Sequence, residues 1–249
     1  MSGWKKDLRS GALALSALLL SMLPWILFGA VCVHGQEYRQ TAAAQPLPEG
    51  PYVALTFDDG PRRSTTTALL DGLAQRGAHA TFFLVGINVE GNEDLILRME
   101  EEGHQVGIHS QNHKMLTELN GAGVAAEVVP LRHTLSALLG REKLMVRPPY
   151  GMTNRTIRGQ MNAPIILWSI DPEDWSDENS ERQTALIVSK AADGDIILLH
   201  DIYPSSVETA LRVVDELMEK GFHFVTVEEL FLIRGQVPTE GKVYRCLPP

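Results

Sequence analysis

The chain has only two cysteines in 249 residues, Cys32 and Cys246. Cys32 lies inside an apolar run, so no disulfide can staple a folded domain, and neither cysteine sits in a pattern that marks a nucleophile or a lipid attachment site. Positive charge is also scarce: 22 Lys and Arg stand against 31 Asp and Glu, a net charge of −9. That balance excludes the basic footprint through which nucleic-acid binders neutralise phosphates, and it disfavours polyanionic substrates while leaving a neutral glycan acceptable. Internal repeats and low-complexity tracts are missing as well, which excludes a solenoid and leaves one domain plus appendages. With 44% hydrophobic residues, that domain can bury an ordinary core.

The start of the chain carries what the rest lacks, a basic flank (Lys5, Lys6, Arg9) followed by an uncharged apolar run from Gly11 to Val33. The run exceeds the ~7–15 residues of a typical cleaved signal and approaches the ~20 needed to span a bilayer. Residues 1–35 are therefore expected to be a signal peptide or, with a slight preference, a retained membrane anchor. The basic flank stays inside, and the remainder is extracytoplasmic, membrane-anchored or secreted. Residues 36–50, ending in TAAAQPLPEG, suit an extended linker.

From residue 51 short β-type runs alternate with helical patterns: 52–57, 79–85, 105–109, 143–147, 164–170, 195–200 and 223–227 read as seven strands. Between them, 64–76, 94–102, 119–139, 181–192 and 206–220 repeat apolar residues at helical spacing, and Gly77, Gly103, Gly140 and Gly221 fall where helices stop. The alternation predicts an α/β domain over 51–234 with a tail at 235–249. Its fold is a distorted (β/α) barrel of about seven parallel strands, with an open doubly wound sheet as the alternative.

Residues able to do chemistry recur at the C-terminal ends of these strands, the rim where α/β enzymes build their sites. Asp58 and Asp59 end the first strand, His109 the third, Arg147 the fourth, Asp171 and Asp174 the fifth and His200 the sixth. Asp-Asp-Gly-Pro alone is also a good turn. His109 and His113, four apart, would face the same way on a helical turn and could share a metal, unless they are merely solvent-facing. Two imidazoles and one carboxylate of the Asp pair leave positions open for water and substrate, with zinc the default ion and other divalent ions allowed. The second carboxylate could then take a proton from water, and His200 could protonate a leaving amine. Arg147 and Asp174 read as partners that tune the base and the acid. Tyr150 and Trp175 offer flat walls for a sugar ring. His34, His79, His104, His133 and His223, together with Trp4, Trp25 and Trp168, are expected to serve packing.

Five blocks in this order, TFDDGP at 56–61, HSQNH at 109–113, RPPYG at 147–151, DPEDW at 171–175 and LLH at 198–200, resemble the polysaccharide deacetylase family, also called the NodB-homology or carbohydrate esterase family 4 domain. The resemblance implies a divalent metal (zinc, or cobalt, nickel or manganese) on Asp59, His109 and His113, with Asp58 as base and His200 as acid. It further implies that Arg147 orients Asp58, that Asp174 pairs with His200, that the Tyr150 N–H holds the oxyanion and that Leu198 lines the acetyl-methyl pocket. The expected activity is removal of N-acetyl groups from an amino-sugar polymer, foremost peptidoglycan N-acetylglucosamine, with no nucleic-acid or protein partner. Chitooligosaccharide N-deacetylation and xylan O-acetyl esterase activity are the alternatives within the family. A silent glycan-binding protein is the alternative outside it, although such a relative should have lost one of Asp58, Asp59, His109, His113 or His200, and all five are present.

Overall fold

The computed structural model describes residues 48–249, so the expected signal or anchor segment at 1–35 and most of the linker at 36–50 lie outside the described residues. Among the described residues no helix is long and apolar enough to cross a membrane. β1 (Tyr52–Asp58) is the central strand and pairs in parallel with β2 (Ala80–Leu84) on one edge and with β5 (Ile196–His200) on the other. β3 (Gln105–Ile108) extends the sheet beyond β2, and the short β6 (His223–Phe224) joins the start of β1. β4 (Ile165–Ile166) and β7 (Val243–Tyr244) form a separate parallel pair.

A seven-stranded barrel with a continuous ladder is not formed. The expected strand at 143–147 makes a single bridge row at Val146, which touches Ile108 on one side and Ile165 on the other, and the expected strand at 164–170 pairs at Ile165–Ile166 and again only at Ile170, against Ile197. Physically, Pro148, Pro149 and Pro164 supply no N–H to a ladder. The C-terminal residues are part of the domain, since Val243–Tyr244 complete the β4 pair and Cys246 bridges Asp195.

Side-chain alternation along the strands divides the molecule into two layers. Val53, Leu55 and Phe57 of β1, Ala80, Phe82 and Leu84 of β2, Val106 and Ile108 of β3, and Ile197 and Leu199 of β5 share the large outer core. It includes residues of α1 (Arg63–Arg76), α2 (Glu93–Glu101), α3 (Gly121–Leu139), α4 (Arg155–Gln160), α5 (Ser180–Lys190) and α6 (Pro204–Glu219). The other parity faces inward. Tyr52, Ala54, Phe83, Ile166 and Ile196 form an inner apolar cluster with Val227, Leu230 and Phe231 of α7 (Val227–Ile233) and with Tyr244 and Leu247. α7 is seated by its first N–H groups: Val227 N–H donates to Thr81 Oγ1 at 3.0 Å and Glu228 N–H to Gln105 Oε1 at 3.0 Å. The strand-start end of the interior is thereby closed. At the other end the inward parity arrives at Asp58, Leu198 and His200. Gly107 lacks a side chain where a Cβ would lie 2.6 Å from the Phe83 ring, and the space so left lets Phe83 fill the interior.

Candidate active site

Several candidate residues sit where a strand ends. Asp58 is the last residue of β1, His200 the last of β5, and His109 follows β3 directly. Arg147 follows the Val146 bridge, and Asp171 follows the Ile170 bridge. Strand parity points Asp58, Leu198 and His200 into one cleft of about 460 Å³. Asp59, His109, His113, Tyr150, Trp168, Asp171 and Trp175 complete its lining.

Asp59, His109 and His113 converge so that one ligand atom from each lies within 4.8 Å of the others. Asp59 Oδ1 is 3.2 Å from His113 Nε2 and 3.5 Å from His109 Nε2, yet it is buried without a hydrogen-bond partner. The His109 tautomer explains part of this. Nδ1 is 2.7 Å from the Arg147 carbonyl, which can only accept, so Nδ1 carries the hydrogen and Nε2 presents a lone pair. An orphaned carboxylate oxygen and an imidazole lone pair aimed at a common point fit a divalent cation. Burial pushes the His109 pKa down, which favours this neutral form. The two histidines do not share a helical turn as their spacing had implied. Residues 109–113 form a loop, and positive φ at Ser110 (71°) and His113 (54°) turns the two rings toward each other, with centroids 5.0 Å apart.

Positive φ recurs around the cleft: among the described residues, five of the six such non-glycine positions are Asp59, Ser110, His113, Tyr150 and Glu173. Each costs roughly 1–3 kcal/mol, and such strain persists only where surrounding bonds over-determine it. At Asp59 those bonds are visible. Asn88 Nδ2 donates to the Asp59 carbonyl at 2.8 Å, and Val85 N–H donates to the Gly60 carbonyl at 2.9 Å. Arg62 N–H donates to Thr66 Oγ1 at 2.8 Å, and that hydroxyl donates in turn to the buried Asp201. Burial carries the Asp201 carboxyl up to about 7, and the Gly60 Cα lies so close that a Cβ would meet Asp201 Oδ1 at 2.3 Å.

Arg147 has no exposed surface and occupies the barrel interior, its guanidinium 4.3 Å from the Phe83 ring centroid and 5.6 Å from that of Trp168. Nη1 donates to Asp58 Oδ1 at 2.7 Å, Nε to the Ile166 carbonyl at 3.1 Å and Nη2 to the Leu167 carbonyl at 3.2 Å. Asp58 is thus fixed in orientation, with Oδ2 3.6 Å from His109 Nε2. Across the cleft His200 Nδ1 donates to Asp174 Oδ1 at 2.8 Å. The other Asp174 oxygen accepts the His200 backbone N–H at 2.8 Å and the Ser206 hydroxyl at 2.5 Å. Burial alone would lower the His200 pKa. The Asp174 hydrogen bond and charge, with Asp58 and Asp59 behind them, outweigh it and raise the value to about 9. The Arg147-bound Asp58 carboxyl and the Asp174-bound His200 ring therefore face one cleft, an arrangement suited to acid–base chemistry.

Tyr150 packs edge-on against His113 with centroids 4.8 Å apart, and both Tyr150 and Trp175 are exposed at the mouth. Leu198 is buried in the wall. Trp168, expected to serve packing, packs against the core and also lines the cleft, two residues on from the inward-facing Ile166. Asp171 lines it too, and burial raises its carboxyl pKa. Asn88 and Asp201 carried no sequence signal, because their role is made by contacts 29 and 135 residues away.

An α/β domain with parallel strands whose ends gather two aspartates, two histidines, a buried Arg–Asp pair and an Asp–His pair has the layout of the polysaccharide deacetylases. The chain belongs to that family. The family model for polysaccharide deacetylase matches residues 46–163. The peptidoglycan-N-acetylmuramic acid deacetylase PdaC of Bacillus subtilis is 38% identical over 189 residues, 76% of this chain and 40% of that protein, so the chain spans about two fifths of that relative's length. A peptidoglycan-N-acetylglucosamine deacetylase of Bacillus cereus is 33% identical over 186 residues, 72% of this chain and 87% of that protein. Among solved structures, a family 4 acetyl xylan esterase from Clostridium thermocellum in complex with a cobalt ion superposes with a TM-score of 0.75 at 29% identity, covering 80% of this chain and all of that one.

Proposed function

We propose that the protein is a divalent-cation-dependent hydrolase that removes N-acetyl groups from peptidoglycan, with N-acetylglucosamine as the sugar attacked. The observation that carries this reading is the pairing across one cleft of a carboxylate fixed by Arg147 and an imidazole held protonated by Asp174, with the Asp59, His109 and His113 cluster between them. Relatives from two bacteria named as peptidoglycan deacetylases support the polymer. A cation on Asp59, His109 and His113, zinc by preference for this donor set, would supply Lewis acidity that polarises the acetyl carbonyl and acidifies water.

The chain's own groups account for the proton movements. Asp58 accepts the proton of the attacking water through the oxygen not engaged by Arg147. The N–H of Tyr150, a residue that lines the cleft, is the donor for the oxyanion. His200 Nε2–H delivers a proton to the amine as the C–N bond breaks, leaving acetate and a free amino sugar. Leu198 forms the wall against the acetyl methyl, while Tyr150 and Trp175 flank the sugar. The apolar run at Gly11–Val33 would hold the domain outside the cytoplasm beside such a polymer.

The test is acetate release by metal-loaded protein from peptidoglycan, chitopentaose and acetylated xylan, with a His113→Ala control. Release from peptidoglycan alone, with glucosamine appearing in the digest, is the expected result. Release from xylan only would replace the amide reading with an ester one. Stoichiometric metal binding without release from any of them would favour the glycan-binding alternative.

A further inference from the structure

Glu127 sits in the middle of α3 and, although acidic, is only 2% exposed. Both of its carboxylate oxygens and its carbonyl are spent on the loop that carries the two histidines. Asn112 N–H donates to Oε2 at 2.8 Å, and Asn112 Nδ2 donates to Oε1 at 3.0 Å. The Lys114 ammonium lies 3.2 Å from Oε1, and Gln111 N–H donates to the Glu127 carbonyl at 2.6 Å. On the opposite side of the loop, Gly86 N–H and Ile87 N–H donate to the carbonyls of Ser110 and Gln111, each at 3.0 Å. The loop is therefore clamped between the β2 end and Glu127.

The two histidines depend on this clamp unequally. His109 is fixed independently, since it follows β3 and its ring is held by the Arg147 carbonyl. His113 has no such ring anchor. It reaches the site only because its own φ and that of Ser110 are positive, a conformation supported within the loop by the Ser110 hydroxyl accepting the His113 N–H at 2.9 Å. Burying an acidic side chain in a helix face is costly unless every oxygen is satisfied, and here each is satisfied by that one loop.

We propose that Glu127 is a positioning residue for the cation site, holding the 109–113 loop so that His113 Nε2 remains beside Asp59 Oδ1. The proposal rests on the reading of Asp59, His109 and His113 as cation ligands. Groups that orient ligands from outside the coordination shell change metal affinity by about 10–100-fold when removed. A merely structural role would instead lower stability and leave the affinity and coordination geometry of the folded protein alone.

Two variants separate these. Glu127→Gln keeps the shape but turns an amide N–H₂ toward donors. Asn112→Asp, at an exposed position, sets a carboxylate against the Glu127 carboxylate without opening the core. Full-length protein, wild type and variants, is stripped of metal and titrated with Co²⁺, following the visible absorption bands and the dissociation constant, with thermal melts of the metal-free forms alongside. The expected result is an affinity weakened by about tenfold or more in both variants, with altered Co²⁺ bands, in protein that is folded at the start of the titration. Unchanged bands and affinity in the folded variants would overturn the proposal, whatever the melts show. Should Glu127→Gln fail to fold, Asn112→Asp decides alone. Failure of the wild type to bind Co²⁺ would instead sink the underlying ligand assignment.

Discussion

Arg147 is the residue on which the interior most depends, because its charge is fully buried and its partner Asp58 is nearly so. Removing one member of such a pair leaves the other uncompensated, a loss of about 3–5 kcal/mol. Arg147→Ala is accordingly expected to lower unfolding free energy by that amount in urea denaturation, as well as to abolish acetate release. His200 gives a pH signature. Its folded pKa of about 9 lies above the ordinary value of 6.5, so its contribution to stability is fully present below about 6.5 and disappears as pH rises through about 9. The difference corresponds to about 3 kcal/mol in metal-free protein. In Asp174→Asn that pH dependence should flatten, which melts of the metal-free wild type and variant between pH 6 and 10, roughly the span from below the ordinary value to above the raised one, would reveal. At this scale the sequence was informative where chemistry and strand ends coincide: Asp58, Asp59, His109, Arg147, Asp174 and His200 all sit in or around the cleft. Trp168, expected to serve packing, does pack against the core, and its ring lines the cleft as well, on the inward parity shared with Ile166.

At the scale of elements, strand parity does most of the sorting, and small departures from it are costly. Gly107→Ala would push a Cβ to 2.6 Å from Phe83, with the Met145 carbonyl also only 3.1 Å away. Overpacking of this kind costs about 1–3 kcal/mol, and a thermal melt should register it. The helices of the outer layer, apart from the short α4, were legible from their apolar periodicity and from Gly77 and Gly140, both at left-handed helix ends. α7 was not legible as a helix, since its apolar residues follow β6 without a break and its start is set by a capping box, Thr226 with Glu229, that a strand-like run conceals. The expected strand at 195–200 forms as β5, but those at 143–147 and 164–170 were overestimated: buried apolar runs resemble strands even where proline removes the donors a ladder needs. The 109–113 loop shows the same limit, since a spacing of four has a helical explanation and a left-handed one, and only the fold selects between them.

For the whole molecule, a bound cation and folding should be thermodynamically linked, because the proposed ligands come from two segments far apart in sequence, Asp59 at the end of β1 and His109 and His113 in the loop after β3. A ligand at one hundred times its dissociation constant stabilises the folded state by about 2.7 kcal/mol. Chelation is therefore expected both to stop acetate release and to lower the melting temperature, each reversed by adding Zn²⁺ or Co²⁺. The seating of α7, Tyr244 and Leu247 across the strand-start end of the interior has a consequence for how a long substrate approaches. That end is filled by apolar side chains, whereas Tyr150 and Trp175 are exposed at the strand-end rim, so a polymer is expected to approach from the rim. With the chain laid across that rim and a pendant group dipping inward, the position of a sugar along its strand, near an end or far from one, should matter little to whether it is reached.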